Sequence, residues 1–339
     1  HYRSAFIMIE SLINLFAELH AIVFEEIVLP GLTAAGLLAH MEEAFDFTEW
    51  FLIGVIEVAL LAVILLPLER RFPAERRGPG GLGDRVGTDF AYTLLHRLGA
   101  FAVFAFVLLE PIALAARDGW RGWGLPAVEI DALLGLTYLP VIAAFVYLVI
   151  LDFVDYWIHR FQHGWTWWWS LHAIHHSQRR MTLWTDNRNH LVDDLLRDAI
   201  LAFFALFIGV MPSQFLSFVV ITRVWQSLQH ANIGLAFPDW LARLVVSPGF
   251  HRLHHAVGLG HEGPAKGVNF AVLFSIWDWL FRTADWSAER RFSANELLPE
   301  TGIRDQAQGV NYGHGFWQQQ WIGLRNLCQS FIRAPKSEK

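Results

Sequence analysis

Long apolar runs constrain this chain more than any other feature. A helix needs on the order of 20 apolar residues to cross a hydrocarbon core, and several stretches approach that length. Trp50 to Leu68 is interrupted only by Glu57, and Leu134 to Leu151 carries no charge. Phe90 to Leu109 is less clean, with His96 and Arg97 near its start. Ala5 to Leu29 holds Glu10, Glu18, Glu25 and Glu26; it reads as a first span or, alternatively, as a helix lying along the interface. Ala199 to Thr222 is uncharged but has Pro212 at its middle. The fold expected is all-α, a polytopic membrane protein with three to four transmembrane helices.

Composition agrees. Charged residues make up 17% of the 339, against roughly 25% in soluble domains, while 16 Trp and 27 Phe suit a surface at the bilayer and its interfaces. A net charge of −6 provides no basic face for nucleic acid. Cys328 is the sole cysteine, so an intrachain disulfide, a thiolate zinc site and a cysteine-ligated iron–sulfur cluster are excluded.

Arginine placement gives orientation. Arg70, Arg71, Arg76 and Arg77 follow the Trp50 run and Arg85 precedes the next, so this loop, with its Gly78–Gly83 segment, is expected in the cytoplasm. Counting crossings then puts the chain from Asp152 onward on the cytoplasmic side. At about 1.5 Å per residue, 199–222 is long enough for one crossing and too short for two. One crossing would separate the histidines before it from those after it. A bend at Pro212 would instead make a re-entrant hairpin and keep them together. The division expected is a transmembrane region 1–151, a catalytic region 152–283 including the hairpin 199–222, and a cytoplasmic helical cap and tail 284–339.

Most of the 16 histidines fall into motifs. His159 and His163 form HxxxH; His172, His175 and His176 form HxxHH; His251, His254 and His255 form a second HxxHH. On a helix, positions i, i+3 and i+4 lie at about 0°, 300° and 40°, so each motif is expected to point its imidazoles one way. Eight converging imidazoles exceed the three or four ligands of one zinc and suit two metals, iron among them. His230 and His190 stand alone in sequence and are further ligand candidates. Asp152, Asp155 and the pair Asp193 and Asp194 are candidates to accept the second N–H of bound imidazoles.

At these motifs the sequence resembles the fatty acid hydroxylase / sterol desaturase superfamily. The resemblance covers roughly Leu151 to Thr283. It runs through Asp-Tyr-Trp-Ile-His-Arg-Phe-Gln-His at 155–163, Leu-His-Ala-Ile-His-His-Ser at 171–177 and Arg188-x-His190. Gln-His-Ala-Asn at 229–232, Ser-Pro-Gly-Phe-His-Arg-Leu-His-His at 247–255, Gly-Val-Asn-Phe at 267–270 and Ile-Trp-Asp-Trp-Leu-Phe-Arg-Thr at 276–283 complete it. The resemblance implies two irons over a lipid tunnel, held by the eight clustered histidines, with His230 matching a further family ligand. Two positions depart from the pattern: Gln226 stands where some members place the first histidine of an HxxxH, and Phe-Arg-Thr replaces Phe-Gly-Thr at 281–283. The stretch from Gln308 to Trp321 resembles a bacterial subgroup, which implies a bacterial inner membrane.

The implied chemistry is O2-dependent oxidation of a lipid C–H bond, giving hydroxylation or desaturation. No Gly-rich dinucleotide fingerprint in a strand–helix setting is evident, so electrons are expected from a separate ferredoxin or haem carrier. The competing readings are a membrane zinc hydrolase, a bis-histidine haem protein and a non-catalytic metal-binding membrane subunit. A hydrolase usually needs a glutamate base, as in HExxH, and no histidine motif here contains one. A bis-histidine haem protein would place single histidines deep in paired spans, whereas these cluster beyond the span ends.

Overall fold

The charge-free run near Leu134 folds, in the computed structural model of the protein, as part of one helix running from Pro140 to Gly164. Residues 134–139 form a turn ahead of it. Pro140 opens the helix at a position where its missing N–H is no loss. The apolar half and the HxxxH half are therefore one continuous rod. The structure describes residues 2–75, 85–124, 128–259, 266–293, 296 and 298–332. Arg76, Arg77, the Gly78–Gly83 segment and the tail after Ile332 lie outside them.

The longer elements in chain order are α1 (Tyr2–Val23), α2 (Met41–Arg71), α3 (Arg85–Arg97), α4 (Ala100–Gly122) and α5 (Pro140–Gly164). They continue with α6 (Thr166–His176), α7 (Leu191–Phe207), α8 (Pro212–His230), α9 (Pro248–His254) and α10 (Phe316–Ile332). Among the described residues there is no strand, only an isolated bridge between Ala256 and Thr301. Among the described residues three helices are long and apolar enough to cross a membrane: Leu38–Arg71, Ala100–Trp120 and Pro140–Gly164. The run from Ala5 is not one of them; α1 gives way to a π-helix at Phe24–Val28, where Glu25 and Glu26 fall.

The chain divides into two compact units. The first comprises residues 1–60 and 94–104. Within it the charges that interrupted two apolar runs find each other: Arg97 donates to Glu57 at 2.8 Å, and both side chains are buried. The span expected from Phe90 accordingly starts ten residues later. Gly99, at φ +84°, breaks the helix after Arg97, and α4 begins clear of the charges.

The second unit comprises residues 61–93 and 105–339. Its largest apolar cluster packs α5 through Tyr147, Leu151 and Ile158 against Leu201 and Ala205 of α7 and Phe218 of α8. The uncharged 199–222 run is broken at Ile208–Met211, with Gly209 at φ +81° and Pro212 at the first turn of α8. The run is thus two helices rather than one, with the break at the proline. Against the other side, α10 lays its buried Ile322 beside Ala173 and Ile174 of α6.

Candidate metal centre

Nine of the ten histidines proposed as ligands come together, all in the second unit. His159, His163, His172, His176 and His254 form one buried group, and His175, His230, His251 and His255 form another. Within each, one ligand nitrogen per residue lies within 4.8 Å of all the others. The two groups adjoin, with the rings of His176 and His255 stacked at 4.3 Å.

The spacing rule needs a correction. Each HxxHH does not send three imidazoles to one place; its i, i+4 pair stays together and the i+3 ring crosses over. His172 and His176 serve the first group while His175 serves the second. His251 and His255 serve the second while His254 serves the first. Both motifs end short helices, at His176 and just beyond His254, so the partial negative charge of two helix termini faces the site.

The first group is held from behind. His159 Nδ1 donates to the carbonyl of Phe270 at 2.7 Å and His254 Nδ1 to that of Val268 at 2.7 Å. His172 Nδ1 donates to Asp193 at 2.9 Å. Gln162 and the indole of Trp168 fix the same carboxylate at 2.8 and 2.6 Å. These bonds set the tautomer and turn the other nitrogen inward. The Nε2 atoms of His172, His176 and His254 are buried without a hydrogen-bond partner.

In the second group Nε2 of His230 lies 3.1 Å from that of His175 and 3.0 Å from that of His251. Nε2 of His251 lies 3.1 Å from that of His255. These contacts cannot all be hydrogen bonds. His230 donates its Nδ1–H to the Gln226 carbonyl at 2.8 Å, so its Nε2 is a bare lone pair. His251 must then donate to it, and a neutral imidazole has only one N–H; the His251–His255 contact is left with none. A cation among four lone pairs satisfies every contact at once. Imidazole nitrogens about 2.0–2.1 Å from one ion lie about 2.9–3.4 Å apart at neighbouring vertices, which matches.

Burial keeps these rings neutral. Desolvation first, then neighbouring imidazoles, hold His175, His176, His251 and His255 well below the usual imidazole range. Burial likewise brings His254 down to about 3. Neutral imidazole is the form that ligates, so these five rings fit metal ligation without a prior proton loss.

The remaining candidates have other partners. His190 joins neither group: Nε2 donates to the Gln320 carbonyl at 2.8 Å and Nδ1 accepts from the Val192 N–H at 3.1 Å, capping α7. Asp155, on the helical face of His159, instead takes a two-pronged bond from Arg197, at 2.8 and 2.5 Å. Asp152 accepts from the backbone of Leu273 and Phe274 and from the Trp277 indole, at 2.9, 3.0 and 2.8 Å. Of the adjacent acids, Asp193 bonds a site imidazole.

The Gly-Val-Asn-Phe segment was visible as a motif, yet its role lies in its backbone. Asp278 holds the segment by accepting from Phe270 and Ala271 N–H at 2.9 and 2.7 Å and from the Thr283 hydroxyl at 2.6 Å. Residue 282 sits at φ 58°, the left-handed region that glycine adopts freely, so the backbone suits the glycine of the Phe-Gly-Thr pattern, and nothing in the structure explains the arginine here. An apolar groove of about 380 Å³ opens between α5 and α8, lined by Phe145, Leu148, Leu151 and Phe218 with Gln214 and Ser217.

Such a helical chain combines helices apolar enough to cross a membrane with two adjoining imidazole groups that could each hold a metal ion. Residues 144–283 match the fatty acid hydroxylase family, and the match, with the relatives below, supports the fatty acid hydroxylase / sterol desaturase superfamily. It is 27% identical over 271 residues to an ornithine lipid hydroxylase of Rhizobium tropici, covering 80% of this chain and 76% of that one. It is 31% identical over 146 residues to an alkylglycerol monooxygenase of Caenorhabditis elegans, 42% of this chain and 26% of that one. A sterol desaturase of Gibberella zeae is 29% identical over 135 residues, 40% of this chain and 41% of that one. No solved structure matches the chain. By family the chain is an oxidoreductase, and its three apolar helices mark an integral membrane protein.

Proposed function

We propose that this chain is a membrane di-iron oxygenase that hydroxylates a C–H bond of a membrane lipid. The observation that carries the reading is the pair of adjoining groups, five and four buried imidazoles, with lone pairs turned inward. Imidazole-rich ligation suits iron, and two irons would supply the O2-dependent redox chemistry that no side chain here can. The protein's own part is to hold the donors neutral, fix their rings and exclude water. The groove along α5 and α8 supports an acyl chain as the part of the substrate that is gripped. Hydroxylation is favoured over desaturation because the relative aligned over 80% of this chain is a lipid hydroxylase.

The bend at 208–211 supports the re-entrant hairpin, since a straight crossing would part His175 from His230. Arg70, Arg71 and Arg85 support a cytoplasmic location for the histidines and the C-terminal cap. Electrons then come from a separate ferredoxin or haem carrier docking there. A zinc hydrolase is disfavoured because neither group includes a carboxylate to act as base.

The test is a comparison of membrane lipids from cells with and without the chain. A lipid class gaining one oxygen atom only when the wild-type chain is present, and not with His175→Ala, is the expected result. An unchanged lipid profile on expression with iron and oxygen supplied, or full product from His175→Ala, would overturn it.

A further inference from the structure

We infer that the two groups hold their metals unequally, the five-histidine group retaining its ion and the four-histidine group exchanging it, with Asp193 as a positioning residue that sets the difference. This rests on the two-metal reading above and goes beyond it to the behaviour of each half.

The two groups differ on the outer side of their rings. In the first group three imidazoles have Nδ1 bonded to a protein acceptor on another element: Phe270 and Val268 carbonyls and the Asp193 carboxylate. Those acceptors are themselves fixed, Asp193 by Gln162 and Trp168, and Phe270 by Asp278. In the second group only His230 has such a bond, and its acceptor, Gln226, is on its own helix. The Nδ1 atoms of His175, His251 and His255 are buried with no hydrogen-bond partner in the protein. An outer partner orients the ring and raises its basicity, and losing one costs about 10–100-fold in metal affinity. Three rings without one, and one ligand fewer, make the second group the weaker site. Gln226, at the place where some family members carry histidine, adds no imidazole to it.

The experiment follows metal release from the purified, metal-loaded full chain into excess chelator, read as metal per chain over time. The expected result is two phases of one ion each, with rates at least about tenfold apart. His255→Ala should lack the fast ion and keep the slow one. Asp193→Ala should accelerate the slow ion, and Asp193→Asn, which retains an acceptor oxygen for His172, should restore much of the retention. A merely structural loss at Asp193 would speed both ions alike. Two ions leaving in one phase from the wild-type chain would overturn the inference, as would a slow ion that vanishes with His255→Ala. A chain that never binds two metals would instead sink the oxygenase reading itself.

Discussion

His175 and His230 meet Nε2 to Nε2 at 3.1 Å across 55 positions of sequence. Between them lies an uncharged stretch long enough to cross a bilayer, broken at Ile208–Met211. The contact also ties α6 to the end of α8. Replacing His230 by alanine should remove one imidazole from the second group and leave the first intact. The measurement is metal content per chain: about one ion, with α-helical circular dichroism unchanged. Two ions retained by His230→Ala would contradict its place in the group.

The metal-free chain should be acid-sensitive in a defined direction. Burial holds the folded imidazoles of His175, His176, His251 and His255 well below their ordinary value near 6.5 and brings His254 down to about 3. The unfolded chain therefore takes up protons first as pH falls, and stability present above about 6.5 is lost progressively towards 3. Bound metal blocks that protonation. Melting temperature between pH 8 and 5 should fall steeply for chelated protein and much less for loaded protein; parallel curves would count against the neutral cluster.

Gly323 lies against His190. A Cβ added there would meet His190 Cδ2 at 2.3 Å and Nε2 at 2.9 Å. Gly323→Ala should therefore push α10 off the start of α7 and cost about 1–3 kcal/mol. A denaturation midpoint equal to wild type would show that this approach is looser.

Arg282→Gly should stabilise the chain by about 1 kcal/mol, because residue 282 sits at φ 58°. Chemical denaturation measures it. A loss of stability would mean the Arg282 side chain contributes more than its backbone costs.

Much of this site is legible in sequence because ligand chemistry restricts residue type. Only histidines at helical spacing could supply nine imidazoles, and all nine were visible as motifs or as His230. Pro212 announced the bend for an equally local reason. The division of rings was not legible: whether His175 faces with His172 or away from it depends on where α8 and α9 end up. Asp155 misled for the same reason. Its spacing puts it on the face of His159, but Arg197, 42 positions away, reaches it with two hydrogen bonds. The carbonyls of Val268 and Phe270 leave no signal of their own, since any residue carries one. The start of the second span was hidden in a tertiary pair, Glu57 with Arg97.

The most direct test of the central claim is metal content per chain, by elemental analysis of protein purified in detergent from iron-fed cells. The account predicts about two irons per chain. One zinc and no iron, repeated under iron feeding, would contradict it, and so would a chain that holds no metal at all.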